Sequence, residues 1–230
     1  MYFGNNGGLL EFDGTNWKVY ATDNQTIVCS VTASQDGKIY AGGQGTFGYF
    51  LGNSAGSLTF HSLLNLIPEV HRTFDDVWDI EIINEEVFFR ASGKIFHLVD
   101  EKIDVLQLAG SADFLGQIEG KLYASDKVQG LYYFNKNSFQ SIPNTTFLSQ
   151  DQITSILPFA KDTILLTTLK QGIFSFSDNE LKPWKTEADN FLKDNQIYSA
   201  TLLPKQRIAI GTSLNAVSYT HLTLPMKRIV

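Results

Sequence analysis

The chain has 230 residues, of which 43% are hydrophobic and 13% aromatic, enough to bury a large core. The 17 Phe and 9 Tyr against 2 Met favour β-structure over a helical bundle. A net charge of −6 argues against a nucleic-acid-binding surface, and no apolar run reaches the roughly 18 residues that would cross a membrane. The single Cys29 excludes an internal disulfide and is expected to be a small core residue.

A unit of strand, Gly-rich turn and strand recurs along the chain. Its clearest copy is Gly37–Phe50 (GKIYAGGQGTFGYF), and Met1–Phe12 aligns with it without a gap. Each copy closes on an aromatic residue or Leu, at positions 12, 50, 98, 134 and 176. Spacings of roughly 40 residues are typical of four-stranded propeller blades, and no apolar face with the period of a helix is present.

In chain order, the repeats occupy residues 1–20, 26–63, 77–108, 113–142, 153–184 and 196–215. The first unit has no counterpart of the first strand, and the last shows only two strands. We therefore expect an all-β fold, a β-propeller fragment with four-stranded antiparallel blades, of which four are whole and two partial.

Three longer segments separate these units: Leu64–Asp76, Asn144–Gln152 and Glu187–Asn195. Each lies between the last strand of one unit and the first strand of the next, so all three are expected on the same face of the propeller. Glu187–Lys193 is predicted to form one helical turn.

The end of the chain does not continue the repeat. Val217–Pro225 (VSYTHLTLP) resembles the translation of a sequencing-library transposon adapter. We therefore expect residues 216–230 to be a non-native tail, with the authentic repeat continuing beyond Asn215.

The repeated unit resembles the two-component-regulator propeller repeat found in sensors of the Bacteroidetes. The resemblance is carried by Tyr2–Tyr20, Gly37–Phe50, Phe74–Trp78 and Gln171–Phe176. In that family a propeller sensor precedes a triple-tyrosine domain, a membrane helix and a histidine kinase or helix-turn-helix output. None of those further modules is recognisable in this sequence.

The resemblance implies a periplasmic, ligand-sensing module of a transmembrane regulator. It further implies a small ligand, with oligosaccharide as the class, a homodimer in the full-length protein, and a membrane tether in other sequence. No enzyme activity is expected of this segment. Two alternatives stay open: a carbohydrate-active propeller enzyme, and a kelch-like protein-interaction platform, since Gly42-Gly43 ends a strand as in kelch repeats.

An acidic cluster surrounds Trp78 at the start of a strand expected to line the central channel. It comprises Asp75, Asp76 and Asp79, and Arg72 lies in the segment before it. Residues 72, 76, 78 and 79 are the candidate ligand contacts, with Trp78 as a stacking face for a sugar ring. Alternatively, Asp75 and Asp76 accept backbone N–H groups within their own loop, or paired carboxylates act on a glycosidic bond.

Other candidate chemistry is weaker. Arg90, at the end of a strand, is interpreted as an interblade hydrogen-bonding residue or a surface residue. His61 and His97 have no second ligand at metal-binding spacing, so no metal site is expected. The Gly-rich stretches lie between strands and predict turns rather than phosphate-binding loops, and no cofactor is expected.

Overall fold

The computed structural model describes residues 1–54, 56–204 and 207–214, and the segment expected to be a non-native tail lies outside them. The described strands form six sheets that follow one another along the chain, here called blades one to six. Blades one to three contain β1 (Tyr2–Asn5), β2 (Gly8–Phe12), β3 (Trp17–Tyr20), β4 (Val28–Ala33), β5 (Ile39–Gly43), β6 (Thr46–Gly52), β7 (Leu58–Ser62), β8 (Val77–Ile83), β9 (Glu86–Ala91), β10 (Lys94–Val99) and β11 (Lys102–Leu106). Blades four to six contain β12 (Ala112–Ile118), β13 (Lys121–Asp126), β14 (Gly130–Asn135), β15 (Ser138–Ser141), β16 (Ile153–Ala160), β17 (Thr163–Thr168), β18 (Gly172–Ser177), β19 (Glu180–Trp184), β20 (Ile197–Leu203) and β21 (Arg207–Thr212).

Every blade is an antiparallel meander in which strands that are consecutive in the chain pair with each other. Four blades have four strands, while blade one has three and blade six has two among the described residues. The expected all-β propeller, with four whole and two partial blades, is confirmed.

The first strand of each of blades two to six is the innermost, because β4, β8, β12, β16 and β20 contact one another in that order. Polar side chains join neighbouring inner strands. Ser30 Oγ donates to the Val77 carbonyl over 2.7 Å, and the Ala200 N–H donates to Ser155 Oγ over 2.8 Å. The inner strands are therefore linked across blades as well as packed.

The two faces of the propeller differ in their connections. Two-residue turns join the first to the second strand and the third to the fourth strand of blade three, and these turns define what we call the turn face. The longer connections between blades lie at the opposite end of the strands, here called the loop face. They carry short 3-10 helices at residues Leu64–Leu66, Glu69–His71 and Thr146–Gln150, and the single described α-helix, α1 (Asp189–Asn195).

The helix in the last connection begins two residues later than the predicted Glu187–Lys193. The backbone N–H and the hydroxyl of Thr186 both donate to Asp189 Oδ1, each over 2.7 Å. These bonds fix the first helical turn at Asp189, in the manner of a capping interaction.

Aromatic side chains fill the space between blades. Between blades two and three, the Phe47 ring lies 4.5 Å from that of Phe89 and 4.9 Å from that of Phe96, centroid to centroid, and all three are fully buried. Neither blade encloses this cluster by itself, so the apolar face of each blade is covered by the next.

We expect Phe47→Ala to lower the free energy of unfolding by about 3 to 5 kcal/mol, because the substitution removes a buried ring and leaves a cavity between blades. Phe191→Ala, the same change at a ring that is 37% exposed in α1, should cost less than half as much. Urea denaturation of the two variants measures the difference. Equal losses would show that the interblade cluster does not dominate stability.

Candidate functional site

A β-bulge interrupts all five inner strands at the same place. The pairing register with the second strand shifts by one residue between the first and third residues of β4, β8, β12, β16 and β20. The extra residues are Cys29, Trp78, Asp113, Thr154 and Tyr198, and we call them the bulge row. Bulges commonly re-aim side chains beside functional sites. Because the inner strands are neighbours, the bulge row follows the loop-face end of the channel wall.

The bulge row combines exposed aromatic rings with small polar groups. Trp78 is 49% exposed and Tyr198 is 67% exposed, although the first residue of every one of these strands is buried. The other three members are half-buried. Cys29 is thus a partly exposed bulge residue rather than the core residue that the sequence suggested. Burial raises the pKa of its thiol, and the charge of Asp76 adds to the effect.

Asp79 follows the bulge in β8 and links blades three and four. Its carboxylate forms an ion pair with Arg90 Nε and accepts the backbone N–H of Leu115 over 3.0 Å. Arg90 Nη1 donates to the Ala112 carbonyl at 3.3 Å. Both Leu115 and Ala112 belong to β12, which confirms Arg90 as an interblade hydrogen-bonding residue.

The position that Arg90 occupies in blade three is taken by a small residue in blades two, four, five and six. The corresponding residues opposite the bulge are Gly42, Ser125, Thr167 and Gly211. A Cβ added to Gly42 would lie 2.4 Å from a methyl group of Val77, so blade two has no room for a side chain there. Blade three therefore has a buried cation where the other blades have Gly, Ser or Thr.

Two further carboxyl groups lie near this pair. Ser125 Oγ donates to Asp113 Oδ1 over 2.5 Å, whereas the buried Asp113 Oδ2 makes no hydrogen bond to any described residue. Burial raises the pKa of Asp113. Burial, with the charge of Asp79 as a second cause, raises the pKa of Glu81 to about 7. The inner wall between blades three and four thus holds more acidic groups than cations.

The sequence-predicted residues do not form one cluster. Trp78 and Asp79 are consecutive in β8, and Asp76 lies just before it, bridged to Gln44 of blade two. Contrary to its alternative interpretation as a loop cap, Asp76 has a buried Oδ1 with no hydrogen-bond partner among the described residues. Arg72 is exposed and donates from Nε to the carbonyl of Ile67 over 2.9 Å, so it closes its own loop.

Arg90, and not Arg72, is the cation that lies beside Asp79. The loop that contains Arg72 is attached to a different strand of blade three. Lys94 Nζ, on the third strand of blade three, donates to the carbonyl of Thr73 at 2.9 Å.

Glu81, Asp113 and Tyr198 were not among the residues predicted from the sequence. A signal for the bulge row is present: four inner strands begin with an aliphatic residue, the bulge residue and a Ser or Asp, as VCS, VWD, ITS and IYS. Among the described residues, no group of three or more His, Cys, Asp or Glu side chains is arranged to hold a metal ion.

Comparison with solved structures supports the fold. The chain is similar to the extracellular domain of the putative hybrid two component system BT4673 from B. thetaiotaomicron, with TM-score 0.67 and 16% identity over 99% of this chain and 32% of that one. It is also similar to the corresponding domain of BT3049, with TM-score 0.62 and 15% identity over 90% and 30%. The Staphylococcus aureus virginiamycin B lyase matches with TM-score 0.58 and 12% identity over 86% and 71%.

The present chain spans about a third of the two extracellular domains. No family model matches the sequence, and no curated protein matches it. At these identities the likeness shows a β-propeller and no more. No helix in the described part of the chain is long and apolar enough to cross a membrane.

We expect Arg90→Thr to lower the free energy of unfolding by about 2 to 4 kcal/mol, because it leaves the Asp79 carboxylate without its cation. The double variant Asp79→Ser with Arg90→Thr should recover most of that loss. In blade five the equivalent positions are occupied by Ser155 and Thr167. Ser155 accepts the backbone N–H of Ala200 in blade six, as Asp79 accepts that of Leu115 in blade four. Denaturant melts of both variants test the idea, and a double variant no better than the single would contradict it.

Glu81 should make stability depend on pH. Its folded pKa of about 7 is above its ordinary value of 4.5, so the folded state binds more protons between those values. Wild-type stability therefore falls relative to Glu81→Gln as pH rises from about 4.5 to 7, by at most about 3 kcal/mol. Paired melts across this range measure the change. Glu180→Gln is the control, because Lys182 lowers the pKa of the exposed Glu180, so its effect on stability has the opposite sign and lies below about pH 4.5, outside this range.

Proposed function

We propose that this propeller is a ligand-sensing module that binds an oligosaccharide along the bulge row. The observation that carries the proposal is the repetition of one bulge in five neighbouring inner strands, which aligns Trp78, Tyr198 and three polar residues at the loop face. Exposed aromatic rings offer stacking faces to sugar rings, and the polar members offer hydrogen bonds to hydroxyl groups.

The four candidate ligand contacts predicted from the sequence differ in their position relative to the bulge row. Trp78 is a direct member of the bulge row, and Asp76 lies beside it with an unbonded carboxylate oxygen. Asp79 acts through its bonds to Arg90 and Leu115 and positions β8 against β12. Arg72 lies in the connection between blades two and three, and it would contact a ligand only from that connection.

A ligand that spans several members of the bulge row would bind several blades at once. It would favour the arrangement of inner strands in which those side chains are best spaced. A ligand shifts an equilibrium only by its difference in affinity for the two states. The bonds from Asp79 to β12 and from Ala200 to Ser155 are the contacts through which such a shift would pass between blades.

We further propose an extracytoplasmic, periplasmic location and a homodimer in the full-length protein, with the membrane tether and output in sequence outside this chain. The support is the resemblance of the repeats to two-component-regulator propellers. The fold similarity to two domains described as extracellular parts of putative hybrid two component systems points the same way.

One observation favours a second candidate, a carbohydrate-active enzyme. Glu81, with its raised pKa, is two residues from the ion-paired Asp79 on β8, and environments that separate two carboxyl groups in this way suit an acid and its ionised partner. Incubation of the chain with the glycans that it binds distinguishes the two functions. Saturable binding without product supports the sensor, and product formation that Glu81→Gln abolishes supports the enzyme.

The sensor proposal is tested with a panel of immobilised bacterial and host glycans. We expect Trp78→Ala and Tyr198→Ala each to weaken binding of the best glycan at least about tenfold, because each removes a stacking face. The matched control is Trp17→Ala, since Trp17 is 57% exposed but lies on β3, away from the bulge row. Equal effects at Trp17 and Trp78, or glycan binding that neither bulge-row variant changes, would contradict the proposed site.

A further inference from the structure

A second concave site lies on the turn face, between blades two and three. The aromatic core shared by these blades opens there into a cavity of about 850 Å³, within the usual range for small-molecule sites. Its apolar wall is formed by side chains from both blades: Leu63, Leu66, Ile82, Val87 and Leu98. Leu63 and Leu66 belong to the connection after blade two, so the cavity extends from the turn face along the interface between the blades, and none of its lining residues belongs to the bulge row.

The hydroxyl group of Tyr40 is available to a molecule in this cavity. Tyr40 lines the cavity and is only 5% exposed, yet its hydroxyl makes no hydrogen bond to another described residue. Its ring packs edge-on against those of Tyr49 and Phe89, 5.9 Å from each, so the side chain is fixed by the core. The hydroxyl oxygen is not among the buried atoms that lack a partner, so it reaches the open space of the cavity and can bond to a bound molecule.

The rim of the cavity is acidic. Asp36 is already neutralised, because it pairs with Lys38 Nζ over 2.7 Å. Glu85, Asp100 and Glu101 have no ion pair or side-chain hydrogen bond within the described part of the chain. Three carboxylates thus surround an opening whose one lining cation is already paired.

The two turns that carry these carboxylates share one backbone conformation. Asn84 and Glu85 form one two-residue turn, and Asp100 and Glu101 form another, with φ between 46° and 70° at all four residues. Such turns favour Gly or Asn at the second position. Blade four has Gly120 there, and blades four and five have Asn137 and Asn179 in their other turns. Only blade three, among these described turns, has Glu at both second positions.

We infer that the cavity between blades two and three binds an organic amine with an apolar body. The ammonium group would lie among Glu85, Asp100 and Glu101 and donate to the Tyr40 hydroxyl. Its alkyl or aryl part would contact the aliphatic wall and the Tyr49 ring. An anionic ligand is disfavoured by the same carboxylates, and a fully polar one would leave the aliphatic wall without contact.

The probe is N-dansylcadaverine, a primary amine with an aromatic group, titrated into the 230-residue chain and followed by fluorescence. We expect saturable binding with one site per chain. The derivative acetylated at the amine has the same body without the charge, and it should bind at least tenfold more weakly. Raising the ionic strength should weaken binding of the amine but not of the acetylated compound.

Variants that keep the turn geometry locate the site. Glu85→Asn with Glu101→Asn removes two carboxylates and should weaken binding of the amine at least tenfold, because Asn tolerates positive φ and preserves the fold. Tyr40→Phe should weaken it several-fold through loss of the hydroxyl group alone. The matched control is Glu119→Asn, a turn carboxylate at φ 50° in blade four outside the cavity, which should have no effect.

Thermal melts of every variant separate loss of binding from loss of fold. Equal affinity for the amine and its acetylated derivative would overturn the inference. So would the absence of saturable binding up to about 1 mM, or a control variant as weak as the double variant. None of these outcomes bears on glycan binding at the bulge row, because no residue that lines the cavity belongs to the bulge row.

Discussion

The whole structure depends on the contact between neighbouring blades. A single blade cannot cover its own apolar faces, so Phe47 of blade two is buried against Phe89 and Phe96 of blade three. Polar bonds between inner strands, such as the one from Ser30 to the Val77 carbonyl, set how closely the blades approach. Both candidate sites are consequences of that approach.

The two faces of the propeller present different chemistry because the strands end differently. At the loop face each inner strand starts with a bulge, which frees one side chain per blade from the pleat and exposes Trp78 and Tyr198. At the turn face the strands end in tight turns that place Glu85 and Glu101 at fixed positions. One face suits a polyhydroxyl ligand, and the other suits an amine.

Much of the fold was predictable, because four-stranded blades repeat turn and strand signals at a regular spacing. The repeat placed Trp78 and Asp79 at the start of an inner strand, where the structure has them. For Arg90 the sequence left two interpretations, an interblade hydrogen-bonding residue or a surface residue, and the structure shows the first. The relation of Arg90 to Asp79 was not predictable, because pairing depends on the register between β8 and β9, which the bulge shifts by one residue.

The fold class, the blade order and the side chains available for chemistry can be derived from the amino-acid sequence, because they follow from local periodicity and composition. Which side chains meet depends on the folded arrangement of the blades. The raised pKa of Glu81 comes from burial in the folded chain, and the position of the Tyr40 ring comes from packing against Phe89 of another blade. Such properties arise from residues far apart in the chain, and no local pattern encodes the distance between them.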